Sequence, residues 1–300
     1  MNFGVWMQNH LEQGQPKAAN APSDFGAHRP NNFLCWLISL SQRAPQNFIG
    51  QQFAQLVRKL VLLFASLPID ISIGLIKMRC YLRDNASEKK FVFMPWRFDK
   101  RERQALVDAL PKNGTFIDIG ANVGIYTLTA ATHLGKHGRI VALEPNPPAH
   151  KRLSFNLKAT QSTQTDWPQI DALQFGVADV ESTLDLHLVP SNLGGSSIAS
   201  HNVSSSPQAR EVTRIICKPL LSILAAQGIT KIDALKIDIE GAEDIALMPF
   251  LANATDDQLP KVIIIENSEK LWKQDLTAAI KGRGFEVQMR SRMNTVYRRA

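Results

Sequence analysis

The stretch FIDIGANVGIYTL, Phe116 to Leu128, constrains this chain more than any other. Its first residues have strand-forming character, a Gly-x-x-x-Gly turn follows, and helix-forming residues come after. A glycine turn between a first strand and the next helix cradles a nucleotide-type ligand at the helix N-terminus. Two common classes fail on the residues. A phosphate loop needs Gly-Lys-Ser/Thr after the glycines, and none follows here. A dinucleotide fingerprint needs Gly-x-Gly-x-x-Gly, whereas Asn122 stands where the middle glycine should be. That glycine exists so that a pyrophosphate can approach, and an Asn side chain obstructs it.

S-adenosylmethionine has no phosphate and escapes this objection. Asp118 can accept from its amino group or from a bound water, and Gly120 lets a ligand come close to the backbone. Ala121 and Asn122 continue the turn, and Gly124 starts the helix. Glu144, in VALEPNP, ends the second strand twenty residues after Gly124, with Pro145 and Asn146 following. Its two oxygens can take both ribose hydroxyls, each charge-assisted bond being worth about 1.5–3 kcal/mol. A nicotinamide ligand also wants an acid there, so Asn122 and the missing third glycine decide. A glycine turn can be pure geometry and Glu144 a solvated loop acid, but both in register in one strand-helix-strand unit argue against coincidence.

The grammar around this unit predicts the fold class. From Thr115 onward strand-like segments alternate with helix-like ones: TFIDI, RIVAL, IDALQFGV, IDALKID and KVIIIEN are separated by helical runs. Such alternation means an α/β fold with a mostly parallel sheet covered on both faces. GFEVQM and NTVYR close the chain as two strands joined by a short basic turn. An irregular stretch, Ala178 to Cys217, interrupts the alternation and should cover the acceptor pocket. Upstream, Met1 to about Asn47 is rich in Gln, Asn, Pro and Ser and reads as a loosely ordered lead. A helix follows over 48–66, then IKMRCYL and KKFVFMP as short strands, then DKRERQALVDAL as a surface helix. The expected division is an N-terminal extension over 1–67 and a main domain over 68–300.

FIDIGANVGIYTL, VALEPNP, LKIDIEGAE and IIIEN occur in this order and spacing, with MRCYLRDN, FDKRERQALVDAL and LGGSSI as weaker signatures. In these the chain resembles the FkbM family of S-adenosylmethionine-dependent methyltransferases, from about Ile71 through the terminal NTVYRR. The resemblance implies a seven-stranded class I methyltransferase sheet (Rossmann-like, helices on both faces). It also implies, usually, O-methylation of sugars, polyketides or other natural products. One departure is Leu220-Leu221 after KP, where the family often carries Leu-Asp. The NPP of Asn146 to Pro148 resembles the Asn-Pro-Pro-aromatic loop of amino-group methyltransferases. It follows the wrong strand and ends in Ala149, so an amino-group acceptor is not expected.

Methyl transfer needs the nucleophile aligned, water excluded, and the hydroxyl proton accepted. Ligands of such sheets sit at the carboxyl ends of the strands. Asp238 stands at the tip of the fourth strand with Glu240 and Glu243 just beyond, and Glu266 and Asn267 at the tip of the fifth. The catalytic candidates are Asp238, Glu240, Glu243 and, in the insertion, His201; His187 lies nearby. Glu240 and Glu243 equally suit a helix start, where acids are favoured. Asp179 follows the third strand, where this class commonly contacts the adenine amino group; it is otherwise a turn acid. Asp238, Glu266 and Asn267 resemble the magnesium ligands of catechol O-methyltransferase with one Asp replaced by Glu, and no metal is expected.

Composition narrows the partners. A net charge of +7 and a pI near 9.4 suit a phosphorylated or lipid-linked substrate, a membrane surface or nucleic acid. The rival readings are a nucleic-acid methyltransferase drawn by this charge and a methyltransferase-like fold used only for binding; the basic residues are scattered and no RNA-binding signature occurs, so nucleic acid is not expected. Three scattered cysteines make neither a disulfide framework nor a zinc site, which points to a reducing cytoplasm. Met1 to Asn20 does not read as a signal peptide. The apolar run from Leu60 to Ile76 is broken by Pro68 and Asp70 and falls short of the ~20 residues of a membrane span. FIGQQFAQLVRKLVLLFASL, with Arg58 and Lys59, suits packing onto the main domain first and peripheral membrane contact second.

Overall fold

The computed structural model describes residues 23–187 and 212–299. Five apolar segments form its parallel centre: β3 (Thr115–Ile119), β4 (Arg139–Leu143), β5 (Gln169–Leu173), β9 (Ala234–Ile237) and β10 (Val262–Glu266). β11 (Phe285–Arg290) and β12 (Asn294–Arg299) complete a seven-stranded sheet of order β11-β12-β10-β9-β3-β4-β5, with β12 antiparallel to both its neighbours. Strand periodicity sends alternate residues to opposite faces. Ile117, Ile119, Val141, Leu143, Leu235, Ile237, Ile263 and Ile265 join one buried cluster. This face is covered by α7 (Leu220–Ala226), α8 (Glu243–Asn253) and α9 (Leu276–Gly282). Phe116, Ile140, Ala234, Val262 and Ile264 join another, against α4 (Lys100–Ala109) and α5 (Ile125–Ala131). α6 (Pro147–Gln161) connects β4 to β5. The order reverses around β3, so the crevice opens where β3, β4 and β9 end.

Several local expectations give way. Within the expected loose lead, α1 runs Asn32–Gln42, its first turn capped by the Asn31 side chain, which accepts from Leu34 N. α2 runs Phe48–Phe64, two residues shorter than predicted, and Asn47 caps it in the same way. KKFVFMP is not a strand. Its first five residues belong to α3 (Ala86–Phe93), whose start is fixed because Asn85 caps Glu88 N at 3.0 Å and the Glu88 carboxylate accepts from the N–H groups of Tyr81 and Leu82. A short aromatic run carries no periodicity that separates helix from strand. β1 (Ile69–Ile73) pairs antiparallel with β2 (Ile76–Cys80), making a hairpin where only its second strand is expected.

The stretch from Ala178 to Cys217 is partly regular. β7 (Ser182–His187) pairs antiparallel with β8 (Val212–Lys218), which pairs parallel with β6 (Gly176–Val177). His201 and the LGGSSI segment lie outside the described residues. No described helix is long and apolar enough to cross a membrane.

Candidate functional site

A cavity of about 220 Å³ lies at the carboxyl ends of β3, β4 and β9. Its floor is the turn after β3, where Gly120, Asn122 and Gly124 all take left-handed φ of 75°, 52° and 91°. Glycine and Asn are the residues that adopt this region at least cost. The turn is tied down from four sides. Gly120 N and Ala121 N donate to Leu143 O. Asn122 N donates to Glu144 Oε2 at 2.6 Å, Asn85 Nδ2 donates to Asn122 Oδ1 at 2.9 Å, and Asn156 Nδ2 donates to Val123 O. Glu144 Oε1 also accepts from Asn146 N at 2.9 Å. Burial pushes the Glu144 carboxyl up to about 7, against those two bonds. Ala121, Asn122, Glu144, Pro145 and Asn146 all line the cavity.

The predicted cofactor residues are not all where the sequence suggests. Asp118 lies beneath the cavity, fully buried, not in its lining. Its Oδ2 accepts from Thr127 Oγ1 at 2.5 Å, and burial raises its pKa despite Lys236. Gly120 lines the cavity, but the space a side chain would claim belongs to the protein: a Cβ would sit 2.0 Å from the Asp238 carbonyl oxygen. Its smallness is therefore required by the close approach of the loop after β9. Gly124 is the N-cap of α5 as expected, and a Cβ there would meet Leu153. Asp179 is exposed and outside the lining, which Phe175, Gly176 and Val177 supply instead.

At the other end stands an acidic rim. Asp238, Glu240 and Glu266 offer carboxylate oxygens that all lie within 4.8 Å of one another. Burial and the neighbouring Asp238 push Glu240 up to about 7 and Glu266 up to about 8. Glu243 belongs elsewhere. It accepts from Ile239 N, Gly241 N and Trp272 Nε1, so it shapes the loop before α8 as the helix-start reading anticipated. Asn267 is committed to Ser291 O and Thr295 Oγ1 and is absent from the lining, so the Asp…Glu-Asn set does not assemble. His187 is outside the lining too; the neighbouring Leu186 reaches it.

Lys236 is the residue missed by sequence reasoning. It sits in β9 opposite Asp118 and lines the cavity. Its Nζ donates to Gly120 O at 3.0 Å and lies 3.4 Å from Asp238 Oδ2 and 3.8 Å from Asp118 Oδ1. The same ammonium is 5.4 Å from the centre of the Tyr126 ring, whose hydroxyl donates to Asp99 Oδ2. The Asp238 and Asp118 carboxylates raise its pKa against burial, the largest opposing influence. A lysine inside the otherwise apolar ALKI, buried on both sides, was the available signal. The lining thus carries five carboxyl groups (Asp99, Glu144, Asp238, Glu240, Glu266) against two lysines, Lys90 and Lys236. That acceptor-rich lining suits a ligand carrying an ammonium and hydroxyls.

Comparisons with known proteins place the chain among its relatives. The chain is 26% identical over 246 residues to the AMB antimetabolite synthetase AmbE of Pseudomonas aeruginosa, covering 69% of this chain and 11% of that protein. It therefore spans about a tenth of that relative's length. It is 24% identical over 205 residues to methyltransferase sdnD of Sordaria araneosa, covering 59% of this chain and 76% of that one. Among solved structures, the methyltransferase FkbM of Methylobacillus flagellatus aligns with 15% identity and a TM-score of 0.40. That alignment covers 72% of this chain and 56% of the other. The model of the methyltransferase FkbM domain matches residues 118–287, more than half of the chain, from the Asp118 turn through the acidic rim into β11. This chain belongs to the FkbM methyltransferase domain family.

Proposed function

We propose that this protein transfers a methyl group from S-adenosylmethionine to a hydroxyl of a small, sugar-like or lipid-linked acceptor. The observation that carries the reading is the cavity between Glu144 and the Asp238–Glu240–Glu266 rim, rich in carboxylates and floored by a glycine turn. Bound there, the cofactor supplies an electrophilic methyl carbon on a positively charged sulfur. The chain's own residues do the rest. Glu144 keeps lone pairs after accepting from Asn122 and Asn146, and these take ribose hydroxyls. Ile119, Leu143, Phe175 and Val177 give apolar walls for a purine. Asp238, whose side chain is 38% exposed and paired with Lys236, orients the acceptor hydroxyl. Glu240 and Glu266, held near 7 and 8, accept its proton, since a base works best with a pKa near the working pH.

The acidic rim opposes a polyanionic acceptor, which favours a small molecule over nucleic acid. The test is calorimetric titration with S-adenosylmethionine and S-adenosylhomocysteine, followed by mass spectrometry of candidate hydroxyl acceptors. Saturable binding and a methyl ether product are expected. Absence of binding at millimolar ligand, or a methylated nitrogen, overturns the proposal.

A further inference from the structure

Helix α2 is apolar on two sides and buries only one. Gly50, Ala54, Val57 and Val61 form the buried seam. A second stripe at the same helical spacing, Ile49, Phe53, Leu56 and Leu63, faces solvent, Ile49 at 74% and Leu63 at 73% exposure. α1 repeats the arrangement: Leu34, Leu37 and Ile38 are buried while Phe33, Trp36 and Leu40 are exposed. Isolated exposed apolar residues are ordinary, whereas two stripes of large ones on neighbouring helices mark an interaction surface.

Charge selects the occupant. No Asp or Glu occurs between Asp24 and Asp70, although 27 of the 300 residues in the chain are acidic. Arg29, Arg43, Arg58 and Lys59 fall in the same span, and neither Arg58 nor Lys59 forms an ion pair among the described residues. A second copy of the chain would set these cations against their like-charged duplicates with no acid to pair. Residues 1–22 hold one acid, Glu12, alongside Lys17. An anionic bilayer satisfies both features, phosphates meeting the cations and the acyl boundary taking the aromatic and aliphatic stripes. We propose that α1 and α2 dock this protein on an anionic phospholipid membrane surface. α3 packs against both helices and lends Ser87 and Lys90 to the cavity wall, so the docking face and the cavity share one element. The inference stands on α1 and α2 alone and is independent of the acceptor.

The test is co-sedimentation of the full chain with phosphatidylcholine vesicles, with and without phosphatidylglycerol, at low and high salt, with light scattering in parallel. Binding to the anionic vesicles alone, weakened by salt, is expected. Lys59→Gln should weaken partitioning roughly fivefold, since Lys59 flanks the exposed stripe and a cation near such a surface is worth about that factor. Trp36→Ser, Ile49→Ser and Leu63→Ser together should abolish it while circular dichroism is kept and melting changes little, because these side chains are mostly exposed. No sedimentation with anionic vesicles, or equal sedimentation with neutral ones, overturns the proposal. So does a dimer that the triple substitution dissociates and that ignores vesicles.

Discussion

Replacing Lys236 with Met tests whether the cation in the cavity wall is the anchor that its contacts imply. Lys236 and Asp118 are register partners on adjacent strands, 5% and 0% exposed. Removing the lysine leaves Asp118 as a buried carboxylate with Thr127 as its remaining side-chain donor, and strips Gly120 O of its partner. Breaking a buried pair from one side costs about 3–5 kcal/mol. A domain of this size loses about 2–4 °C per kcal/mol, so melting should fall by roughly 6–20 °C. Lys236→Met combined with Asp118→Asn removes both charges together. Urea denaturation of the wild type, both single variants and the double should then give a coupling of at least about 2 kcal/mol. A single-variant cost below about 1 kcal/mol with additive behaviour would refute the reasoning and make Lys236 a solvated bystander.

Four further outcomes follow from the site. Glu144→Ala should weaken S-adenosylmethionine binding by about 2–3 kcal/mol, roughly 30- to 150-fold by calorimetry; unchanged affinity removes Glu144 from the ribose. Asp238→Asn should lower turnover more than cofactor affinity, and equal losses would place Asp238 in the cofactor site. Glu144, Glu240 and Glu266 are raised from 4.5 to about 7, 7 and 8, so the folded state keeps protons that the unfolded chain has lost. Stability from these groups therefore falls as pH rises from about 4.5 toward 8, while proton acceptance gains. Denaturation midpoints compared across that window should show the fall, Glu266→Gln should lessen it, and a turnover profile flat between pH 6 and 8 would exclude these acids as the base. Gly120→Ala should unfold the turn, not merely weaken cofactor binding, because its Cβ meets the Asp238 carbonyl at 2.0 Å in a left-handed backbone; unchanged melting would contradict this.

The sheet was legible because its strands are near-continuous apolar runs between helical periods, and those patterns survive any tertiary detail. Glu144 and Asp238 were legible for a related reason: each is the first acid after such a run, where the chain leaves the sheet. The helix α1 was not, since its apolar residues are embedded in a Gln, Asn and Pro-rich composition and its cap depends on one Asn side chain. Asp118 and Glu243 carry the expected chemistry at the expected spacing, yet neither lines the cavity: Thr127 and Lys236 hold Asp118 beneath it, and Trp272 holds Glu243 aside. Spacing along the chain places a side chain at a strand end; it does not say whether that side chain turns inward or out.

The contact between Gly120 and the Asp238 carbonyl has an evolutionary consequence. The loop proposed to hold the methyl donor and the loop proposed to face the acceptor touch backbone to backbone, and Lys236 is bonded across them. Drift in one is felt at once by the other, so neither can be remodelled alone to admit a new acceptor. Variation is cheaper in elements that reach the cavity without touching that junction, such as the paired strands β7 and β8, whose described residues bring Leu186 to the wall. A lineage of such proteins would therefore diversify its acceptors through this strand pair while the Gly120–Asp238 junction stayed constant.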